Sequence, residues 1–179
     1  KKFILHVIPS FYPAIKFGGP NINLHKLALF MSKYQSIKVF TTDKSLNANY
    51  KNKQIKYNNN YEVSYFRIFN NKKSKFYFSL SFIFSYLKIL NQKYIIHLHT
   101  LFQFPCLFIL FINIIFKKEI IISLRGTFTY ETLNKNIYRK IYKNLIKILF
   151  RITKPKIIFS SEIEFLDFKK IFNVQMHHC

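Results

Sequence analysis

Tyr94–Phe104, YIIHLHTLFQF, is the stretch on which the reading of the fold turns. Tyr94–Leu98 is apolar and rich in isoleucine, with a polar residue admitted only at its end, which predicts a short buried strand. His97 and His99 stand two apart, so on a strand they share one face while Leu98 takes the other. His99 lies where the strand gives way to a loop. That is the edge at which open α/β sheets bind ligands, so His99 is the candidate catalytic residue. A hydrogen-bonded edge histidine without chemistry is the competing reading.

The same grammar extends in both directions. Before this stretch, Phe3–Ile8 (FILHVI) predicts a first strand ended by Pro9, and SFYPAIKFGGP a kinked loop. Asn21–Lys33 predicts a helix with Leu24, Leu27, Ala28 and Met31 on one face and Asn21 as N-cap. Ser36–Thr41 alternates like a second strand. Asp43–Asn60 is Lys/Asn-rich without apolar period and reads as a mobile loop. Tyr61–Ile68 is a third strand and Phe76–Asn91 an apolar helix. Beyond, Phe104–Lys117 predicts a helix with Pro105 in its first turn, where proline is tolerated. Glu119–Leu124 and Pro155–Ser160 are the last strands, and Asn134–Ile152 is a long basic helix. Ser161–Phe172 closes the domain as a short helix or linker.

Strands and helices alternate, and the later strands are unbroken apolar runs, as parallel strands buried on both faces are. The expected class is α/β: a Rossmann-like, doubly wound, mostly parallel sheet with helices on both faces. Residues 1–172 form the domain and 173–179 an irregular tail.

With 179 residues, half of them hydrophobic, the chain has material for a real core. Its charge is lopsided, 29 Lys and Arg against 7 Asp and Glu. Lys, Asn, Ile, Phe and Tyr abound while Ala, Arg and Gly are scarce, the bias of A+T-rich codons. Compositional drift and an anionic partner therefore both stand as sources of the charge. Nucleic acid is the weaker partner, since no zinc-finger, RNP-like or helix-turn-helix signature appears. Phe and Tyr laced among cations suit anionic lipid better. Cys106 and Cys179 make no disulfide framework, which fits a reducing compartment and argues against metal binding. Phe76–Leu90 and Phe104–Phe116 fall short of the roughly 20 residues of a spanning helix.

Four loops that follow strands gather at one sheet edge. Gly18 and Gly19 precede a helix, so backbone can approach a ligand while helix N–H groups face an anion; a structural turn explains them as well. They are not a dinucleotide fingerprint, the glycines being adjacent with no third. Arg125, followed by Gly126, puts a guanidinium at the same edge, suited to phosphate or carboxylate, with a structural salt bridge as rival. Glu162 and Glu164 in SSEIE either meet a sugar hydroxyl or cation, or belong to a helix cap built on Ser160 or Ser161.

The elements HVIPSFYPAIKFGGP, VFTTD, YIIHLHTLFQFP, IIISLRGTF and IIFSSEIE, in that order and spacing, resemble the N-terminal domain of the family 4 (group 1) glycosyltransferases of the GT-B fold. The resemblance covers nearly the whole chain. It implies transfer of a sugar from a nucleotide-sugar donor to a glycan or lipid-linked acceptor, in surface polysaccharide or glycolipid synthesis, with retention. It implies no cofactor and no metal, the nucleotide sugar being a co-substrate. Gly18 and Gly19 would face donor diphosphate and acceptor, and His99 the transferred sugar. Arg125 with Gly126 would line the acceptor side, and Glu162 matches the acid after the last strand. The family's donor-binding Arg…Lys pair and E-x7-E motif have no counterpart here. The chain is thus expected to be the acceptor-side half, inactive alone, whose partner is the missing donor domain.

The helix Asn134–Ile152 carries Lys135, Arg139, Lys140, Lys143 and Lys147, with Ile137, Ile141, Leu145, Ile148 and Leu149 as its apolar side. It either lies on anionic lipid or is a surface helix with a solvated basic face. The expected location is cytoplasmic, peripheral on the inner face of the membrane. The alternative function is a non-catalytic remnant acting as a basic membrane-surface module.

Overall fold

Alternating apolar strands and amphipathic helices build one sheet in the computed structural model, which describes residues 2–14, 19–69, 76–126, 129, 133 and 137–172. The strands are β1 (Phe3–Val7), β2 (Ser36–Thr42), β3 (Gln54–Asn58), β4 (Tyr61–Phe66), β5 (Tyr94–His99), β6 (Ile120–Ser123) and β7 (Lys156–Ile158). The helices are α1 (Gly19–Met31), α2 (Leu80–Ile89), α3 (Phe104–Phe116), α4 (Ile137–Thr153) and α5 (Glu162–Phe172). Sheet order is β3-β4-β2-β1-β5-β6-β7. Every neighbouring pair is parallel except β3 with β4. The fold is a Rossmann-like, doubly wound α/β sheet.

Because side chains alternate along a strand, the sheet separates two cores, and β1, β2 and β4 feed both. Leu5, Val7, Ile96, Leu98, Ile120 and Ile122 share one core with residues of α2, α3, α4 and α5. Ile8, Ile37, Val39 and Val63 share the other with Leu24 and Ala28 of α1. Among the α-helices described, α1 alone packs on that second face, joined by Leu46 and Tyr50 of the β2–β3 connection. Beyond β1, Ile95 and Ile121 are accordingly half-buried, and Ile158 is exposed.

Three expectations need correction. Asp43–Asn60 is not all loop. Gln54–Asn58 forms the antiparallel edge strand, with Ile55 and Tyr57 packed on the α1-side core. Its alternation was masked by flanking Lys and Asn. Asn21 is not the N-cap of α1, which begins two residues earlier. It is buried in the first turn, and its Nδ2 donates to Ser10 Oγ (3.2 Å) and Ala14 O (3.1 Å), pinning the β1–α1 loop. On α4 the buried side is Ile146, Leu149 and Phe150, whereas Ile137, Ile141 and Ile148 face outward.

Other boundaries hold because local chemistry sets them. Ser79 Oγ accepts from Phe82 N to cap α2. Pro105 sits in the first turn of α3, and Lys117 ends that helix in the left-handed conformation (φ 46°). There the Asn113 amide both accepts from Lys118 N and donates to Lys118 O.

Candidate functional site

Strand order reverses between β1 and β5, and in an open α/β sheet ligands enter the crevice beyond the strand ends at that point. A cleft of about 260 Å³ opens there. Pro9 and Ser10 line it from the end of β1, Pro20 and Asn21 from α1, Thr100 and Gln103 from the loop after β5, and Arg125 from that after β6. Thr42 Oγ1 donates to Pro9 O, and Tyr65 Oη to Tyr12 O, both at 2.5 Å, so the β1 loop is held from β2 and β4. Thr100 occupies the left-handed region (φ 75°), unusual for a β-branched residue and a sign of strain held at the rim. Its Oγ1 donates to Gln103 Oε1 at 2.6 Å. A larger depression of about 430 Å³ lies near Asn52, Arg67 and Phe69, but Asn52 Oδ1 there already accepts from Arg67 N.

Register places three imidazoles behind the cleft wall. His6 of β1 pairs with His97 of β5, and His99 follows on the same face. Arg125 Nε donates to His99 Nδ1 at 3.2 Å, and its Nη1 to Pro20 O at 3.4 Å. The guanidinium thus ties the end of β6 to the end of β5 and to the first turn of α1. Arg125 lines the cleft with Pro20, the neighbour of Gly19, whereas His99, expected to face the ligand there, is 1% exposed and stands behind the guanidinium.

A guanidinium only donates, so His99 Nδ1 is bare and its proton sits on Nε2. That N–H points at His6 Nδ1, 3.1 Å away, which puts the His6 proton on Nε2. His6 Nε2 is buried and has no partner among the described residues. His97 Nε2 meets Ser123 Oγ at 2.8 Å. Burial holds all three imidazoles neutral, helped by neighbouring charge. His6 is lowered to about 3 by burial, then by His97 and Arg125. His97 is lowered to about 4 by burial and then Arg125. His99 falls well below its ordinary value, chiefly through burial.

The candidate nitrogens of His6, His97 and His99 lie within 4.8 Å of one another. The 3.1 Å between His6 Nδ1 and His99 Nε2 is near the ligand–ligand edge of a tetrahedral zinc site, about 3.3 Å for Zn–N bonds of about 2.0 Å. The proton placement opposes a metal. The His99 nitrogen nearest His6 carries the hydrogen, and a fixed cation adjoins the group. As folded, the cluster is a hydrogen-bonded chain, not a cage.

Arg125 itself has no carboxylate within ion-pairing distance among the described residues, so the salt-bridge alternative is not what holds it. It is half-buried, and burial lowers its pKa. Its backbone is left-handed (φ 53°), as is that of Gly126 (φ 70°). Gly126 N donates to Glu164 Oε1 at 2.5 Å. The other Glu164 oxygen accepts from Ser160 N (2.7 Å) and Ser160 Oγ (2.9 Å), while Ser161 Oγ accepts from Glu164 N. Ser161 with Glu164 is thus a near relative of the capping box. Glu162 stands exposed in the same first turn. Gly19 has open space where a side chain would begin. Gly18 and the tail 173–179, Cys179 included, lie outside the described residues.

The cap on Ser160 and Ser161 is the alternative that the sequence offered for Glu164, whereas His6 and the bond from Gly126 to Glu164 were not singled out there. A histidine inside the apolar run FILHVI is the one signal for His6; its pairing with His97 comes only from the strand register.

No protein-family model matches the chain, and no curated protein does. Among solved structures it is similar to an Escherichia coli structure described as trehalose-6-phosphate bound with UDP-2-fluoro glucose, of the GT-B glycosyltransferase fold. The TM-score is 0.57 at 14% identity, over 95% of this chain and 42% of that one. The likeness is one of fold, and this chain spans less than half of that neighbour.

Proposed function

We propose that this domain is the acceptor-side half of a family 4-like glycosyltransferase, acting on a nucleotide-sugar donor and a glycan or lipid-linked acceptor, with retention. The observation that carries the reading is Arg125, a half-buried guanidinium at the switch-point cleft with no counter-ion among the described residues. A cation so placed is completed by an anion. The first turn of α1 beside it adds N–H groups of the same polarity. A solved structure of like fold holding a uridine-diphosphate sugar analogue supports a nucleotide sugar as that ligand's source.

In this reading Arg125, which the resemblance puts on the acceptor side, shares the cleft with the Gly19 end of α1, and the two stabilise negative charge on the diphosphate as the sugar departs; catalysis rests on positioning and electrostatics. His99 is not a general base, because both ring nitrogens are engaged and it is 1% exposed. It is a positioning residue that aims the guanidinium. Gly126, anchored through Glu164, sets the turn that presents Arg125. No metal enters this account. Completion of the enzyme falls to a donor-binding domain.

The test is titration of the full chain with inorganic pyrophosphate, UDP and UDP-glucose, followed by amide and Arg Nε–H NMR shifts. Millimolar binding that moves Gly19, Asn21 and Arg125 is expected. Arg125→Ala should weaken it about 10- to 100-fold, the worth of one or two charge-assisted hydrogen bonds. Unchanged affinity in that variant, with the fold intact by circular dichroism, removes Arg125 from the site. Absence of binding by the wild type defeats the reading.

A further inference from the structure

The helix α4 presents three surfaces. At 100° per residue, Ile146, Leu149 and Phe150 point into the core, where they are buried. Ile137, Ile141, Ile148 and Ile152 fall within an arc of about 60° on the far side, and they are 63%, 60%, 54% and 51% exposed. Lys140, Lys147 and Arg151 run along one flank of that stripe, with exposed Asn144 between. The isoleucines do not contribute to the domain's own core, and four aligned β-branched side chains left in water along about 22 Å of helix are costly to expose.

We propose that α4 is a docking face for an anionic phospholipid bilayer, its isoleucines entering the acyl boundary while the flanking cations meet headgroup phosphates. Charge decides the occupant. Lys147 is crowded by its own side: burial and the like charges of Lys143 and Arg151 lower its pKa, a strain that an anionic surface relieves. The whole chain carries a formal +22, which draws it to such a surface over a Debye length. An apolar stripe edged by cations along a helix lying in the plane is the geometry of interfacial binding. Among the described residues no helix is long and apolar enough to cross the membrane. The inference stands independently of sugar transfer.

The chain contains no tryptophan, so Ile148→Trp installs a single indole on the stripe. Phe84→Trp does the same at an exposed position on α2. With vesicles of phosphatidylcholine and phosphatidylglycerol (7:3) in 50 mM salt, the Ile148→Trp emission should shift to the blue and be quenched by brominated acyl chains. The Phe84→Trp emission should do neither. Partitioning should fall at least tenfold on pure phosphatidylcholine, and again for Ile141→Ser/Ile148→Ser, whose positions are exposed and whose fold is checked by thermal melting. Three outcomes overturn the proposal. One is equal quenching at both tryptophans, which marks unoriented adsorption of a basic protein. Another is vesicle binding unaffected by the double serine variant. The third is concentration-dependent dimerisation, seen by light scattering and abolished by that variant, which assigns the stripe to a second copy.

Discussion

Arg125 Nε lies 3.2 Å from His99 Nδ1, and His99 Nε2 lies 3.1 Å from His6 Nδ1. Since the first group in this line is a fixed donor, every proton behind it is fixed as well. The cleft's cation is thereby buttressed by two neutral rings reaching back to the central strand.

The tautomers follow. Long-range nitrogen–proton NMR at pH 7 should show His99 and His6 both protonated on Nε2 and bare on Nδ1. In Arg125→Ala the donor disappears and His99 should become a mixture of tautomers, while Arg125→Lys need not restore order, because an ammonium lacks the guanidinium's planar fork. An Nδ1–H signal for His99 in the wild type contradicts the chain as drawn.

Acid should unfold this domain earlier than its few carboxylates imply. The imidazoles of His6 and His97 are lowered to about 3 and about 4 in the fold, against about 6.5 when unfolded. Between those values the unfolded chain binds more protons, so stability rises with pH and is lost as pH falls from about 6.5, flattening near the folded values. Each fully titrating histidine contributes a slope of about 1.4 kcal/mol per pH unit. Urea unfolding at pH 7, 6, 5 and 4.5 measures it, and His97→Gln should flatten the slope. A free energy constant from pH 7 to 4.5 would show that the rings are not buried neutral. Glu119, at the surface, is lowered by its hydrogen bond to Lys156.

Zinc should not stabilise the wild type measurably, since a ligating nitrogen carries a proton and a guanidinium stands beside the cluster. Removing both obstacles with Arg125→Gln should let zinc raise the melting temperature by several degrees through three imidazoles. Zinc stabilisation of the wild type, lost in His6→Gln, makes the cluster a metal site after all.

The sheet was readable because its strands are short apolar runs bounded by Pro, Asn and charge, and because β5 and β6 end on their polar residues. What could not be read is what depends on pairing across the sheet. FILHVI looks like any buried strand until its register with YIIHLH sets His6 against His97. The edge strand QIKYN was hidden because an exposed strand needs polar residues on its outer side, and lysine and asparagine mimic a loop. On α4 periodicity found an amphipathic helix but not which apolar stripe faces inward. Seven isoleucines and leucines are spread around the helix, and only packing against the core chooses Ile146 and Leu149. The likeness to solved structures is one of fold and does not reach the roles of Gly19, His99, Arg125 and Glu162.

Glu162 and Glu164 separate those levels experimentally. Glu164 is buried, and its carboxylate accepts from Gly126 N, Ser160 N and Ser160 Oγ, joining the turn after β6 to the start of α5. Glu162, two residues earlier, is exposed. Hydrogen bonds to a charged acceptor contribute about 1.5–3 kcal/mol each, and a buried partner left unmet adds to the loss. Glu164→Gln keeps the shape but presents an amide N–H to at least one donor, so it should destabilise the domain by about 2 kcal/mol and loosen the Arg125–Gly126 turn. Glu162→Gln should cost almost nothing in stability. If Glu162 touches substrate, as the resemblance implies, its change should appear only in binding, with unfolding midpoints unmoved. Equal destabilisation by both substitutions in urea unfolding would mean that the rim is not anchored through Glu164.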